Sequence, residues 1–215
     1  MDGASLFDVR RDYASRRLTR DDLAATPWEQ LEAWLAEAAE VDPEDYNAVH
    51  LATVGSDGMP SGRVVLARGV SPEGITFYTN YRSAKGQELE AAPRAAMTFF
   101  WKELERQIRI QGPVTRVPEA ESDAYFASRP RSSKLGAWAS EQSAHVPEGE
   151  TLEARLEAVQ RRFRDTDHIP RPPDWGGFRL GFGTMECWQG RPSRLHDRWK
   201  YVPSGAGWQP MQLFP

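Results

Sequence analysis

The segment WQGRPSRLHDR, Trp188–Arg198, sets Arg194, His196 and Arg198 two residues apart. A regular strand aims all three to one side, where such groups repel unless an anion or an acid balances them. Asp197 points the other way on that geometry. The spacing points to an anionic ligand, with a solvated strand face as the alternative. A second group lies in FYTNYRSAKG, Phe77–Gly86, where a strand runs into a helix capped by Ser83. A helix amino terminus offers free N–H groups and partial positive charge, a ready seat for phosphate. Lys85 in the first turn opposes the helix dipole unless an anion compensates it. Thr79, Ser83 and Lys85 are thus a candidate phosphate seat, and a strand–helix corner with a solvated lysine is the plainer reading.

Two further patterns are weaker. Tyr125 and Arg129 stand four apart on one helical face, and Ser133 follows the break at Pro130. A phenol, a guanidinium and a hydroxyl beside a helix start could chelate a phosphate or serve structure alone. In Arg106–Gln111, Ile108 and Ile110 take one face while Gln107, Arg109 and Gln111 take the other. That polar face meets either solvent or the polar edge of a ring ligand such as a flavin.

Other chemistries find no support. The chain lacks Gly-x-Gly-x-x-Gly, the phosphate-loop lysine motif, His-Glu-x-x-His and Gly-x-Ser-x-Gly. Its histidines, His50, His145, His168 and His196, show no metal-ligand spacing, so no metal site is expected. Lys+Arg number 27 against 31 Asp+Glu, a net charge of −4, which gives no basic footprint for nucleic acid. The lone Cys187 excludes an internal disulfide, and with no signal-peptide run at the amino terminus a cytoplasmic location is expected. Apolar runs such as Ala95–Trp101 are strand-length, too short for a bilayer. Arginine far outnumbers lysine, which base composition explains, although guanidinium also suits planar anions. The 8 tryptophans can fill a core, anchor an interface or wall a flat ligand.

These residues need elements to position them. Residues 1–25 are polar and Arg-rich and read as a mobile arm. A helix starts after Thr26, with Pro27 at its first position, Glu29 completing a capping box, and Trp28, Leu31, Leu35 and Ala38 at helical spacing. Strands are expected at Ala48–Val54, Arg63–Ala67, Ile75–Thr79, Ala95–Trp101 and Gln107–Val114, with turns at GSDG and SPEG and a short helix from Ser83 to about Ala91. Helices follow from Pro118 to Arg129, over Ser133–Ser140 and over Leu152–Phe163. An extended connector, Ile169–Gly177, leads to strands Phe178–Trp188, Arg194–Val202 and Trp208–Leu213. Strands at both ends with helices between them give a mainly β, antiparallel α+β fold. One closed or split barrel over residues 26–215, with a helical insertion at about 118–165, is expected.

The chain resembles the pyridoxine/pyridoxamine 5′-phosphate oxidase family from Arg10–Tyr13 to its last residues. The resemblance is carried by LERQ (Leu104–Gln107), SRPRSSKLGAWASEQS (Ser128–Ser143), PPDWGGFR (Pro172–Arg179) and WQG…RLHDR (Trp188–Arg198), four motifs in the family's order. It implies a homodimeric FMN-binding split barrel with two flavins in clefts between subunits. The implied reaction oxidises pyridoxamine or pyridoxine 5′-phosphate with dioxygen to pyridoxal 5′-phosphate, releasing hydrogen peroxide. The implied cofactor-binding positions are Arg63, Val64, Val65, Leu66, Arg68, Tyr78, Thr79, Ser83, Lys85, Gln107, Gln142, Ser143, Trp188 and Arg198. Arg68, Tyr125, Arg129 and Ser133 would take the substrate phosphate, and the catalytic pair Arg194 and His196 would lie over the pyridine ring. Arg10, Arg11 and Tyr13 would form a lid. The chain departs from the family pattern at Arg68, where lysine is usual, at Ala84, where many members have arginine, and at Gln212–Pro215. These departures bear on affinity and substrate preference more than on fold. The rivals are a split-barrel flavin oxidase acting on another ring, of the phenazine-pathway type, and a non-catalytic flavin- or pyridoxal-phosphate-binding protein.

Overall fold

The computed structural model describes Tyr13 and residues 16–215. In chain order these form α1 (Pro27–Val41), β1 (Ala48–Val54), β2 (Pro60–Leu66), β3 (Gly69–Ser71), β4 (Gly74–Asn80), α2 (Ala84–Ala91), β5 (Arg94–Trp101) and β6 (Arg106–Arg116). There follow α3 (Glu119–Ser128), α4 (Arg131–Ala139), α5 (Leu152–Arg162), β7 (Trp175–Leu180), β8 (Thr184–Gln189), β9 (Asp197–Ser204) and β10 (Gly207–Leu213). The mainly β, antiparallel architecture with helices in the middle of the chain matches the sequence reading. The residues group into two compact units.

The first unit comprises the described part of Met1–Asn47 with Met97–Ile110 and Gly183–Pro215. Its helix α1 begins as its sequence dictates: the Thr26 side chain accepts from the Glu29 N–H, and the Glu29 carboxylate accepts from the Thr26 N–H. The buried face of α1 carries Leu31, Trp34 and Ala38. Strands β8, β9 and β10 form an antiparallel meander, with Trp188 opposite Arg198 and Arg198 opposite Leu213. Tyr201, fully buried in β9, donates its hydroxyl to the Ala24 carbonyl at 2.9 Å. The expected alternation in β6 holds: Ile108 and Ile110 are buried while Arg109 and Gln111 are exposed.

The second unit comprises Ala48–Ala96 and Gln111–Phe182. Here β1 pairs with β2, setting Leu51 opposite Arg63. Strand β4 pairs with β7, so that Tyr78 faces Gly177 and Asn80 faces Trp175 across the ladder. Ile75, Phe77, Leu89, Phe178 and Leu180 fill this core. A smaller cluster of Phe126, Leu135, Phe163, Ile169 and Trp175 fastens the helices α3, α4 and α5 to it. Ser83 caps α2, its Oγ accepting from the Gly86 N–H at 3.3 Å.

Three expectations need correction. The stretch expected as one strand, Phe178–Trp188, is two: β7 starts earlier, at Trp175 inside the expected connector, and Gly181 breaks the run by donating to the Pro113 carbonyl at 2.8 Å. A short strand, β3, fills the gap before SPEG. The strand expected from Arg194 begins at Asp197, because Pro192–Arg194 makes a 3₁₀ turn with left-handed backbone at Ser193 (φ 56°) and Arg194 (φ 61°). Arg194, His196 and Arg198 therefore do not share one strand face.

Gly177 allows the close approach of β7 to the wall of the future site. A Cβ there would lie 2.6 Å from Val117 Cγ2 and 2.8 Å from Tyr78 Cε1. Gly177→Ala is expected to cost about 1–3 kcal/mol through overpacking. The check is a urea midpoint that falls at unchanged slope.

Candidate active site

A cavity of about 1090 Å³ opens in the second unit. Its walls come from β2 (Arg63, Val64, Val65, Leu66), from Arg68, from β4 (Tyr78, Thr79, Asn80), from Lys85 on α2, from the ends of α3 and α4, and from Gln142 and Trp175. Arg63, Arg68, Lys85 and Arg129 all line it, and among the described residues no acid does. Clustered cations of this kind call for anions.

Arg63 and Lys85 are held by their neighbours. The Arg63 guanidinium donates to Ser61 Oγ at 2.6 Å, to the Glu88 carboxylate at 3.0 Å and to the Thr53 hydroxyl. Thr53 in turn donates to Glu88. Burial alone would raise the Glu88 carboxyl, but these hydrogen bonds and the Arg63 charge outweigh it and hold the group below the usual carboxylate range. Lys85 Nζ donates to Thr79 Oγ1 at 3.2 Å and Gln142 Oε1 at 3.1 Å, and Thr79 donates to the same amide oxygen at 2.9 Å. Burial, and then the Arg63 charge, lowers the Lys85 ammonium, and Glu88 offsets part of this. Such a lysine gains most from an anion beside it.

Arg68 and Arg129 are held differently. The Tyr78 and Tyr125 rings stack at 3.9 Å, and Trp175 continues the stack 5.5 Å from Tyr78. The Arg129 guanidinium carbon lies 4.7 Å from the Trp175 ring centre, and that of Arg68 lies 6.0 Å from Tyr125. Among the described residues, neither arginine pairs with a carboxylate, and Arg129 Nη1 is buried without a hydrogen-bond partner. Burial pushes the Tyr78 phenol up to about 12, with Glu121 adding to the effect, so it stays neutral. Ser133 completes this part of the wall.

A second cluster lies in the first unit. The Tyr13 ring meets Trp188 edge-on at 5.4 Å and His196 at 5.6 Å, and Trp188 and His196 lie 4.6 Å apart. His196 Nδ1 accepts the Arg191 N–H at 3.2 Å. Burial, with the charges of Arg194 and Arg198, lowers the imidazole, while Asp197 opposes them. The anion that balances Arg198 is internal: Glu186 on β8, at 2.8 Å, with the Phe214 carbonyl as a further acceptor at 2.9 Å. Asp197 is engaged too, accepting the Leu18 N–H at 2.9 Å and lying 3.8 Å from Arg191 Nε. The pairing of Arg198 with Glu186 replaces the mutual repulsion that the spacing implied.

The cavity thus gathers Arg63, Val64, Val65, Leu66, Arg68, Tyr78, Thr79, Lys85, Tyr125, Arg129, Ser133 and Gln142. Ser83 lies beneath it, fully buried, donating to the Asn80 carbonyl at 2.7 Å. Gln107 stays half-buried on β6, Ser143 is exposed with φ 73°, and Arg194 is exposed on its turn, so none of the three is on the cavity wall. Arg10 and Arg11 lie outside the described residues. The contributors missed from sequence include Glu88, one helical turn beyond Lys85, and Trp175, inside the PPDWGGFR motif.

Two family models cover most of the chain: pyridoxamine 5′-phosphate oxidase over residues 35–163, and the pyridoxine 5′-phosphate oxidase C-terminal dimerisation region over residues 175–215. The chain is 50% identical to a pyridoxine/pyridoxamine 5′-phosphate oxidase of Thermosynechococcus vestitus, across 98% of this chain and 99% of that one. It is 51% identical to the enzyme of the same name from Ralstonia pickettii, over the same shares. Among solved structures, PhzG from Burkholderia lata, in complex with tetrahydrophenazine-1-carboxylic acid, is 32% identical with a TM-score of 0.85, covering 94% of this chain and 99% of that one. A pyridoxamine 5′-phosphate oxidase-related, FMN-binding protein from Nostoc punctiforme shares the fold at 18% identity, with a TM-score of 0.72 and coverage of 90% and 100%. The fold class is the split β-barrel of flavin oxidoreductases. The chain belongs to the pyridoxamine 5′-phosphate oxidase family.

The lowered imidazole gives a direct test. The His196 ring protons should titrate with a midpoint below the ordinary 6.5 in an NMR pH series. Because the folded state takes up this proton less readily than the unfolded chain, the contribution to stability is full above 6.5. It is lost as pH falls through the depressed native value. His196→Gln should flatten that acid limb.

Proposed function

We propose that the protein is an FMN-dependent oxidase that converts pyridoxamine 5′-phosphate or pyridoxine 5′-phosphate to pyridoxal 5′-phosphate. Dioxygen accepts the electrons, and hydrogen peroxide is released, with ammonia from the amine substrate. The carrying observation is the cavity with two cationic pairs, Arg63 with Lys85 and Arg68 with Arg129, and, among the described residues, no acid on its wall. Two phosphorylated ligands, a cofactor and a substrate, match two such seats.

The donor set fits a flavin phosphate. Lys85, Thr79 and Arg63 would hold it, with the Ser83-capped start of α2 adding N–H groups. Gln142 on the cavity wall would meet polar ring or ribityl groups, Gln107 and Ser143, which stand off that wall, join it only on the family resemblance, and Val64, Val65, Leu66 and Tyr78 would supply the apolar wall. Bound FMN supplies hydride acceptance from C4′ and electron transfer to dioxygen. The protein's part is placement. Arg68, Tyr125, Arg129 and Ser133 would grip the substrate phosphate, and the buried, unpartnered Arg129 Nη1 supports that assignment. As the family resemblance implies, Arg194 and His196 would lie against the pyridine ring and keep C4′ in place, Trp188 and Arg198 would flank the flavin, and Arg10, Arg11 and Tyr13 would form a lid. No nucleophile or metal is needed when geometry controls the step. The flavin clefts lie between the two chains of a homodimer, residues 1–25 act as the arm, and residues 26–215 form one flavin-binding domain. The reaction is that of a cytoplasmic enzyme of vitamin B6 supply.

The likeness to PhzG favours a second reading, oxidation of a phenazine-type ring. A substrate without phosphate has no use for the Tyr125–Arg129–Ser133 wall, so the phosphorylated substrate is the better match.

Peroxide release with pyridoxamine 5′-phosphate, from protein whose heat-released cofactor chromatographs as FMN, tests the assignment. Arg129→Ala should raise KM for that substrate about 10- to 100-fold, the size of one lost charge-assisted contact. Its FMN content should stay near that of the parent, whereas parallel loss of FMN would assign Arg129 to the wrong ligand.

A further inference from the structure

Among the described residues no acid holds Arg129, yet aromatic rings do. Its guanidinium carbon lies 4.7 Å from the centre of the Trp175 ring and 5.5 Å from that of Phe126. Trp175 is itself fixed on several sides. Its ring is within 5° of parallel to Tyr125 and 8° of parallel to Tyr78, while Phe126 meets it at 69° and 5.1 Å. Its carbonyl accepts from Arg171 Nη1 at 2.6 Å, and Arg171 Nε donates to Asp123 of α3 at 2.6 Å. Two residues on, the Gly177 N–H donates to Ser122 Oγ, also of α3, at 3.1 Å. The strand that carries the indole and the helix that carries Tyr125 and leads to Arg129 are thus locked together.

We propose that Trp175 is a positioning residue for the substrate phosphate: its indole face holds the Arg129 guanidinium flat and leaves the nitrogen edge for phosphate oxygens. The proposal rests on the reading of Arg129 as the phosphate ligand. A carboxylate partner would fix Arg129 equally well, but it would occupy the same N–H donors and cancel the charge that the phosphate needs. An aromatic face holds the cation through the ring quadrupole and consumes no donor, and tryptophan does this best. A lysine at residue 129 could not use the shelf in the same way, because an ammonium has no plane to stack. The arrangement explains how a half-buried arginine stays charged, ordered and without a hydrogen-bond partner at Nη1 until an anion arrives.

The test compares Trp175→Phe and Trp175→Leu in the FMN-loaded protein. Three readouts apply: KM and kcat for pyridoxamine 5′-phosphate, flavin content, and the Kd of pyridoxal 5′-phosphate by equilibrium dialysis. The order of effects should follow ring strength, about 3-fold in KM and Kd for phenylalanine and about 10-fold for leucine. kcat and flavin content should stay within twofold of the parent. In an Arg129→Ala background, Trp175→Leu should add less than twofold, since the shelf then has nothing to hold. Equal losses for phenylalanine and leucine, a fall in kcat at unchanged KM, or full additivity with Arg129→Ala would overturn the proposal. If the leucine variant does not fold, the phenylalanine variant decides alone: unchanged KM and Kd refute the shelf. Arg129→Ala with unchanged KM would instead refute the phosphate assignment on which the shelf depends.

Discussion

Positive charge collected on one wall, with no acid among the described residues that line it, is the constraint on which this structure turns. Arg63, Arg68, Lys85 and Arg129 face a single cavity, and among the described residues only Arg63 pairs with a carboxylate, that of Glu88 behind the wall. Like charges brought together and partly stripped of water disfavour the folded state unless neighbours or ligands offset them. Each cation accordingly has its own support: a carboxylate and two hydroxyls for Arg63, two hydroxyls and an amide oxygen for Lys85, and aromatic faces for Arg68 and Arg129. These supports fix position while leaving net charge, the property an anion site needs.

The scaffold follows from that requirement. Pairing of β4 with β7 brings Tyr78 and Trp175 onto neighbouring strands, and Gly177 leaves room for the Tyr78 ring. The Ser83 cap starts α2 where Lys85 reaches back to Thr79. Helices α3 and α4, packed through Phe126 and Leu135, deliver Tyr125, Arg129 and Ser133. Strands and helix ends, not a mobile loop, carry most of the charged groups, which suits a reaction controlled by placement.

Local chemistry was legible in the sequence, and partners across the fold were not. The capping box at Thr26, the Ser83 cap and the alternation around Ile108 depend on neighbours within a few residues, and the structure repeats them. The cavity residues implied by the family resemblance from Arg63 to Lys85 and from Tyr125 to Ser133 also come together. Spacing misled at Arg194–Arg198, because Pro192 and two left-handed residues replace the start of the strand. The acid that answers Arg198 is Glu186, and only the β8–β9 register reveals it. Glu88 and Trp175 went unnoticed for the same reason, since a carboxylate on a helix face and a tryptophan in a proline-rich stretch gain meaning only from the arginines they meet.

The cationic wall should hold the proposed cofactor chiefly through its phosphate. The most direct measurement is calorimetric titration of flavin-free protein with FMN and with riboflavin, which lacks the phosphate. Charge-assisted contacts from Lys85 and Arg63 should make FMN bind at least about 100-fold more tightly than riboflavin. Lys85→Met should narrow that ratio by weakening FMN while leaving riboflavin unchanged. Equal affinity for the two flavins would contradict the account.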